Sequence, residues 1–349
     1  MGSFLSVILT VLASVFVFGV VILIHEAGHF GIAKLNNIKV NEFSIGMGPR
    51  LCGFAKGETE YNLRALPIGG YVSMEGEDEE SDDDRSFMKA PPLRRMGIIV
   101  AGAVMNFILG FIILFCLTLN EDLVATRTIH SFTEDSVTQG SGLMVGDEIV
   151  AVNGRRIYIA DDLIYEIVRV QNFTADVTVI RNGEKIQVED VKFPKQIYED
   201  GTVGIRQDFV IVGEDNNIWR SFSYAGIWAL SLSRQVFLSL VDLVAGRVAI
   251  NQMSGPVGII STINKAINVS FSTLMYLMAI ITINLGVVNM LPFPALDGGK
   301  FLIYLIESIT GFKLNKNVEL IITIIGFILL FGFMIFITFN DVSRLFTGG

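Results

Sequence analysis

Hydrophobic residues in this chain gather into four long blocks separated by polar stretches of very different character. The blocks cover residues 4–32, about 96–119, about 272–292 and about 319–339, and each is nearly free of charge through its centre. A helix needs about 20 apolar residues to cross the hydrocarbon core of a bilayer. The pattern therefore predicts four transmembrane helices. About sixty residues separate the first two blocks. Within them, Phe43-Ser44-Ile45-Gly46-Met47-Gly48-Pro49 is too rich in glycine and proline for a helix interior. Residues 59–74 read as short strands around a turn, Glu60–Arg64, Pro67–Gly70 and Tyr71–Met74. This is either an ordinary cytoplasmic hairpin or an exposed strand edge, over Gly69, Gly70, Tyr71 and Val72, able to pair with an extended peptide. The acidic run Glu75–Asp84 reads as a solvated loop. Lys89, Arg94 and Arg95 then stand at the start of the second block as interfacial anchors.

Residues 124–205 form a separate polar domain. Ser141–Gly154 reads as a loop, a strand and an Asn-Gly hairpin turn, and Val177–Ile186 as a second hairpin around Asn182-Gly183. Between them, Asp161 is expected to cap an apolar-periodic helix that runs to Val170. Residues 215–270 are mixed. From Ile218 to Val248 apolar and polar residues alternate at helical spacing, with Arg220, Arg234, Asp242 and Arg247, which predicts a helix lying on the membrane surface. Ser254-Gly255-Pro256-Val257-Gly258-Ile259 breaks it. The expected organisation is thus 1–120 with helices one and two and a hairpin near 41–75, 124–205 as the inserted polar domain, 215–270 on the membrane surface, and 271–349 with helices three and four.

Composition agrees with that division. Hydrophobic residues make up 51% and charged residues 17% of the 349, and the mean hydropathy is +0.56. A polytopic membrane protein with a sizeable polar part is indicated. The net charge of −9 argues against nucleic acid as a partner. Cys52 and Cys116 fall in a polar loop and an apolar helix, so no disulfide framework is expected. The N-terminal block lacks a basic start and is too long for a cleavable signal.

Chemistry concentrates at the end of the first block, in His25-Glu26-Ala27-Gly28-His29. Residues four apart share a helix face, so the two imidazoles can hold one zinc ion, with Glu26 beside them to take a proton from zinc-bound water. A pair of histidines snorkelling from a helix end is the plainer alternative. Two facts weigh against it: the chain has three histidines in all, the third being His130 in a polar segment, and a charge at membrane depth costs at least about 2.5 kcal/mol. Near the third block, Asn289-Met290-Leu291-Pro292-Phe293-Pro294-Ala295-Leu296-Asp297-Gly298-Gly299 cannot continue a regular helix. Broken backbone at membrane depth is tolerated where it lines protein or a cavity. Asp297 is therefore the expected third ligand, and two imidazoles with one carboxylate leave a position open for water, as catalytic zinc sites do. Asn106, Asn284 and Asn289 are polar groups within apolar blocks. Each either packs helices or, for Asn106, contacts the outer shell of the ligands and, for Asn289, bonds substrate backbone.

Taken together these residues resemble the site-2 proteases, intramembrane zinc metalloproteases, in their bacterial RseP/RasP-like branch. The resemblance rests on His25-Glu26-x-x-His29, Gly46-x-Gly48-Pro49, Pro67-Ile68-Gly69-Gly70-Tyr71-Val72, Ala101-Gly102 with Asn106, a single polar domain resembling a bacterial PDZ domain through Gly142-Leu143-x-x-Gly146-Asp147-x-Ile149-x-x-Val152-Asn153-Gly154, Gly255-Pro256-Val257-Gly258, and Asn289 to Gly299. It covers almost the whole chain. It implies one zinc ion held by His25, His29 and Asp297, with Glu26 as catalytic base and acid. It implies that the hairpin dips into the membrane and pairs with substrate through Gly69, Gly70, Tyr71 and Val72. Asn289 would help hold that strand, with Asn106, Pro292 and Pro294 in support. It further implies single-pass membrane substrates already trimmed outside the cell, such as anti-sigma factors or remnant signal peptides, an upstream site-1-type protease on the same substrate, and a PDZ domain that filters by size. The best-known branch has two PDZ domains and this chain has one.

Orientation follows from basic residues. Lys34, Lys39, Lys89, Arg94 and Arg95 lie between blocks one and two, and Lys300, Lys313 and Lys316 between blocks three and four. Positive loops stay in the cytoplasm. Both termini and the PDZ-like domain are thus expected outside a bacterial cell membrane, with the metal motif toward the cytoplasm. The competing classes are a membrane-tethered PDZ scaffold with a non-catalytic metal site, an ion or metal transporter, and a membrane zinc peptidase with a glutamate as third ligand.

Overall fold

The computed structural model describes residues 2–77, 79, 81–197, 203–246, 254–312 and 314–347. In chain order the elements are α1 (Gly2–Leu35), β1 (Val40–Lys56), β2 (Thr59–Met74), α2 (Pro92–Leu119), β3 (Leu123–Phe132), α3 (Val137–Gly140), β4 (Glu148–Val152), β5 (Arg155–Arg156), α4 (Ala160–Val168), β6 (Thr174–Arg181), β7 (Glu184–Lys192), β8 (Lys195–Ile197), β9 (Val203–Ile205), β10 (Phe209–Asp215), α5 (Ile218–Val244), α6 (Pro256–Val269), α7 (Phe271–Asn289), α8 (Asp297–Thr310) and α9 (Lys316–Thr347). They form two compact units, one of residues 1–113 and 236–348, the other of 114–235.

In the first unit, α1 is apolar on nearly every side, yet its buried positions form one stripe. Thr10, Ser14, Val17, Val21, His25, His29 and Ala33 are all buried at spacings of three or four, while Phe4, Leu5, Leu12 and Phe16 are exposed. That is a helix with one face on protein and the rest suited to lipid. Val17 and Val21 pack with Ile263 and Ala266 of α6 and Leu274 and Met278 of α7. Ala33 packs with Ile98 and Ile99 of α2, Phe87 and Tyr304 of α8.

The expected short strands are instead two long ones. Residues 50–56 of β1 pair with 59–64 of β2, and Glu42–Ile45 of β1 pair on one side with Glu60–Leu63 and on the other, antiparallel, with Gly70–Ser73. Gly46 and Gly48 take φ of 82° and 81°, and a Cβ at Gly46 would stand 2.6 Å from the Leu66 carbonyl. Glycine there lets both strands double back into one small sheet. The Gly255-Pro256-x-Gly258 stretch is a helix start. Pro256 takes the first position of α6, and the buried Asp341 of α9 accepts a hydrogen bond from the Gly258 N–H at 2.9 Å.

In the second unit the strands run in the order β10-β3-β4-β6-β7, with β5 beside β4, and β8 and β9 form a separate pair. The turns at Asn153-Gly154 and Asn182-Gly183 have positive φ at both residues, 47° and 73°, then 52° and 84°. This is the geometry that two-residue hairpins favour. Ile129, Leu143, Ile149, Val152, Leu163, Ile167, Val177 and Val179 fill its core. The helix cap differs from expectation. Asp162, not Asp161, reaches back to accept from the N–H groups of Tyr158 and Ile159, at 2.9 and 3.4 Å. The helix starts two residues earlier than the sequence pattern suggests, with Ile159 at the cap position, which moves the capping role to the carboxylate at its third position.

The number of membrane-length helices also needs correction. Among the described residues five helices, not four, are long and apolar enough to cross a membrane: Phe4–Leu35, Pro92–Leu119, Ile218–Val244, Phe271–Asn289 and Asn317–Ser343. They suit a polytopic membrane protein. The addition is α5, whose mean hydropathy of 1.4 is well below the 3.1 of α1. Its polar residues had suggested a surface helix, but part of its polar face is answered by protein. Ser231 donates to the fully buried Asp162, and Gln235 lies 3.3 Å from the same carboxylate. Val248 and Arg247, where that helix was expected to end, lie outside the described residues.

Candidate metal centre

His25 and His29 meet edge to face on α1, with ring centroids 4.8 Å apart. The His29 Nδ1 lies 2.8 Å from the Ile98 carbonyl. A carbonyl only accepts, so Nδ1 carries the proton and Nε2 turns its lone pair inward. On His25 the amide nitrogen of Asn106 lies 3.1 Å from Nδ1, while the Oδ1 of the same amide is buried without a partner. Exchanging the two ends of that amide puts Oδ1 on Nδ1–H, satisfies both groups and again frees Nε2. Asn106 is fully buried, and its backbone carbonyl accepts from Thr282 of α7.

Asp297 completes the set. Its Oδ2 is 3.2 Å from the Nε2 of His25 and 3.4 Å from that of His29, and the two Nε2 atoms are 3.2 Å apart. The same Oδ2 is buried and makes no hydrogen bond, despite these neighbours. Three lone-pair atoms converging in this way call for a cation between them. A tetrahedral zinc with bonds of about 2.0–2.1 Å requires edges of about 3.3 Å. The three observed edges match, so the donor set fits zinc.

Close helix contact makes room for this cluster. A Cβ at Gly102 of α2 would stand 2.4 Å from the His29 Nε2 and 2.7 Å from the His25 Cε1, and one at Gly28 of α1 would stand 2.4 Å from the Ala101 carbonyl. Asp297 arrives at the first turn of α8 after a loop, residues 290–296, in which Ala295 has φ of 77°. Pro292 and Pro294 stand in that loop. Pro294 is pressed against α9, where a Cβ at Gly326 would lie 2.4 Å from its carbonyl.

The other expected site residues fall as follows. Glu26 is half-buried beside the histidines on α1. A Cβ at Gly70 would meet its Cγ at 2.9 Å and the Ser44 carbonyl at 2.8 Å, so the β2 backbone passes directly over the Glu26 stem. Asn289 points its amide nitrogen at the His25 Nε2, 3.2 Å away. Asn284 is exposed on α7. The Tyr71 hydroxyl accepts from Arg64 at 2.6 Å, in a network that also holds Glu42 and Ser44. Val72 packs on the core beneath. Both side chains are therefore engaged within the protein, and what this segment offers outward is backbone. Among the described residues, Gly70–Ser73 pairs with Glu42–Ile45 on one side only.

The roles of three contributors escaped the sequence. The Ile98 carbonyl carries no side-chain signal. Gly102 reads as a helix-packing residue until the imidazoles above it are seen. Arg95 was expected at the interface, and that expectation fails. It is 2% exposed and paired with Glu307 at 2.7 Å. Ile98, Gly102 and Asn106 recur every four residues, so one face of α2 carries them all.

Known proteins bear on this geometry. A profile of peptidase family M50 matches residues 13–333. The chain belongs to peptidase family M50. A protein of Clostridium acetobutylicum, provisionally named a zinc metalloprotease, is 37% identical over 340 residues, which is 97% of this chain and 98% of that protein. The zinc metalloprotease RasP of Shouchella clausii is 29% identical over 423 aligned positions, covering 97% of this chain and all of the relative. The regulator of sigma-W protease RasP of Bacillus subtilis is 26% identical over 419 positions, with 97% and 99% covered. In this M50 peptidase the two halves of the candidate metal centre come from α1 and α8, some 270 residues apart in sequence.

Proposed function

We propose that this M50 peptidase is an intramembrane zinc metalloprotease that cleaves membrane-spanning segments of single-pass proteins. The observation that carries the reading is the triangle of His25 Nε2, His29 Nε2 and Asp297 Oδ2, with edges of 3.2, 3.2 and 3.4 Å, at the ends of apolar helices. Bound there, zinc supplies Lewis acidity to the scissile carbonyl and acidifies the attacking water toward a pKa of about 7. Glu26 takes the proton from that water and passes it to the leaving amine. Asn289, beside His25, holds substrate backbone. A transmembrane helix keeps its carbonyls bonded within itself, so the substrate must unwind before attack. The one-sided edge of Gly70–Ser73, lying over Glu26, replaces the lost hydrogen bonds by pairing with the unwound segment.

The unit of residues 114–235 suits a single PDZ domain by its two Asn-Gly hairpins and intervening helix. We assign it a place outside the cell, where it restricts access to substrates already shortened by another protease. Anti-sigma factors and remnant signal peptides fit that description. The deciding experiment uses purified full-length protein with a single-pass substrate in liposomes. Glu26→Gln should lower cleavage by about 10²- to 10⁴-fold while zinc content, measured by mass spectrometry, stays at that of the wild type. Undiminished cleavage by this variant would remove Glu26 from the reaction, and wild-type protein without zinc would remove the metal centre.

A further inference from the structure

Arg95 is the largest side chain buried almost completely, at 2% exposure, and a buried guanidinium demands an explanation. It sits at the start of α2, where its Nε donates to the Ala90 carbonyl at 3.1 Å and its Nη2 to the Glu307 carboxylate at 2.7 Å. The guanidinium also lies 4.6 Å from the ring centre of Tyr304, which in turn meets Phe87 edge to face at 5.9 Å. Tyr304 and Glu307 both belong to α8. The ion pair thus joins the root of α2 to the far end of the helix that carries Asp297.

Both ends of this joint lead to metal ligands. On α2, Ile98 follows Arg95 by about one turn, and its carbonyl holds the Nδ1 of His29 at 2.8 Å. On α8, Asp297 is the first residue, about 15 Å of helix from Glu307 at 1.5 Å per residue. The covalent link from α7 to α8 is the non-helical loop 290–296, with Ala295 at φ of 77°. That loop, pressed on α9 through Pro294, and the Lys300–Glu77 pair at 2.7 Å hold the near end of α8, and they leave the tilt and rotation of its far end to other contacts. Metal–ligand distances tolerate changes of only about 0.2 Å. A short helix bearing a ligand on its first turn therefore needs directional anchoring at another point along its length. Apolar packing alone leaves sliding and rotation cheap. A forked guanidinium held by a carboxylate, a carbonyl and an aromatic face does not.

We infer that the Arg95–Glu307 pair, with Tyr304 stacked on it, is the positioning clamp of the metal centre, setting His29 through Ile98 and Asp297 through the axis of α8. Arg95 and Glu307 are positioning residues; neither touches substrate or metal. The inference rests on the zinc reading above. The test uses full-length protein in nanodiscs, loaded with zinc, and measures zinc release to an excess of chelator, thermal midpoint, kcat and KM. Three variants are compared with wild type: Arg95→Lys, Glu307→Gln, and the apolar double variant Arg95→Met with Glu307→Met. Replacing both partners of a buried pair by apolar groups commonly preserves stability. The double variant should keep a thermal midpoint within a few degrees of wild type yet release zinc at least ten-fold faster. Arg95→Lys, which keeps the charge and loses the fork, should release zinc faster as well, with kcat lowered and KM unchanged. Wild-type release rates in either Arg95→Lys or the double variant overturn the clamp. Wild-type protein that holds no zinc overturns the metal-centre reading instead, and the clamp with it.

Discussion

At the scale of single residues, the candidate metal centre depends on what is small as much as on the donor atoms that converge there. Gly102 leaves the space into which two imidazoles turn, and the Cβ of an alanine would stand 2.4 Å from the His29 Nε2. Gly102→Ala is expected to lower bound zinc to well below one per chain with helical circular dichroism unchanged. Full occupancy in that variant would show that the imidazoles yield easily. In the second unit, Asp161 stands beside Asp162, and burial first, then that neighbouring charge, push its carboxyl up to about 6. A raised carboxyl pKa means that the folded state binds more protons than the unfolded one between about pH 4 and 6. Stability from this site is therefore lost as pH rises through that window. Asp161→Asn should raise the thermal midpoint at pH 7.5 and leave it near that of the wild type at pH 4.5, a difference that melting curves at the two pH values will read.

At the scale of elements, the arrangement is three helices bringing the candidate ligands or their supports together and one doubled hairpin laid across them. α1 contributes both imidazoles and Glu26, α2 contributes Ile98, Gly102 and Asn106, and α8 contributes Asp297. The hairpin approaches because Gly70 has no side chain. A Cβ there would press on the Glu26 Cγ and the Ser44 carbonyl at once. Gly70→Ala should therefore lower kcat/KM by about 10-fold or more while zinc content holds, a displacement of a reacting group of the kind that costs catalysis without unfolding. Unaltered kinetics would mean that the edge does not govern substrate placement. The network of Arg64, Glu42, Ser44 and Tyr71 belongs to the same element, and it holds the Tyr71 hydroxyl within its own sheet.

At the scale of the whole molecule, the five membrane-length helices and two compact units make orientation the central question. Basic residues near α1, α2 and α8 favour a cytoplasmic placement for the metal centre, although Arg95 and Lys300 are bound to Glu307 and Glu77 at 2.7 Å each. The remaining bias should still direct insertion. In a background lacking Cys52 and Cys116, a single cysteine at Asn182 should react with a membrane-impermeant maleimide in intact cells. One at Glu79 should react only after the membrane is opened. Equal labelling of both without permeabilisation would reverse the assignment of the PDZ-like unit to the outside.

Local chemistry in the chain was enough to reveal the apolar blocks, the imidazole pair four residues apart, the Asn-Gly hairpins and an aspartate in backbone that cannot stay helical. These are short-range facts, set by spacing, side-chain type and the geometry of glycine and proline. The convergence of Asp297 on His25 and His29, the carbonyl of Ile98 on an imidazole, the burial of Arg95 against Glu307 and the turning of Tyr71 into its own sheet are contacts between distant segments. A backbone carbonyl is the same in every residue, and a basic side chain at a helix end reads alike whether water or a carboxylate meets it. Only packing in three dimensions distinguishes those outcomes, because only packing determines which groups are removed from solvent and must find partners.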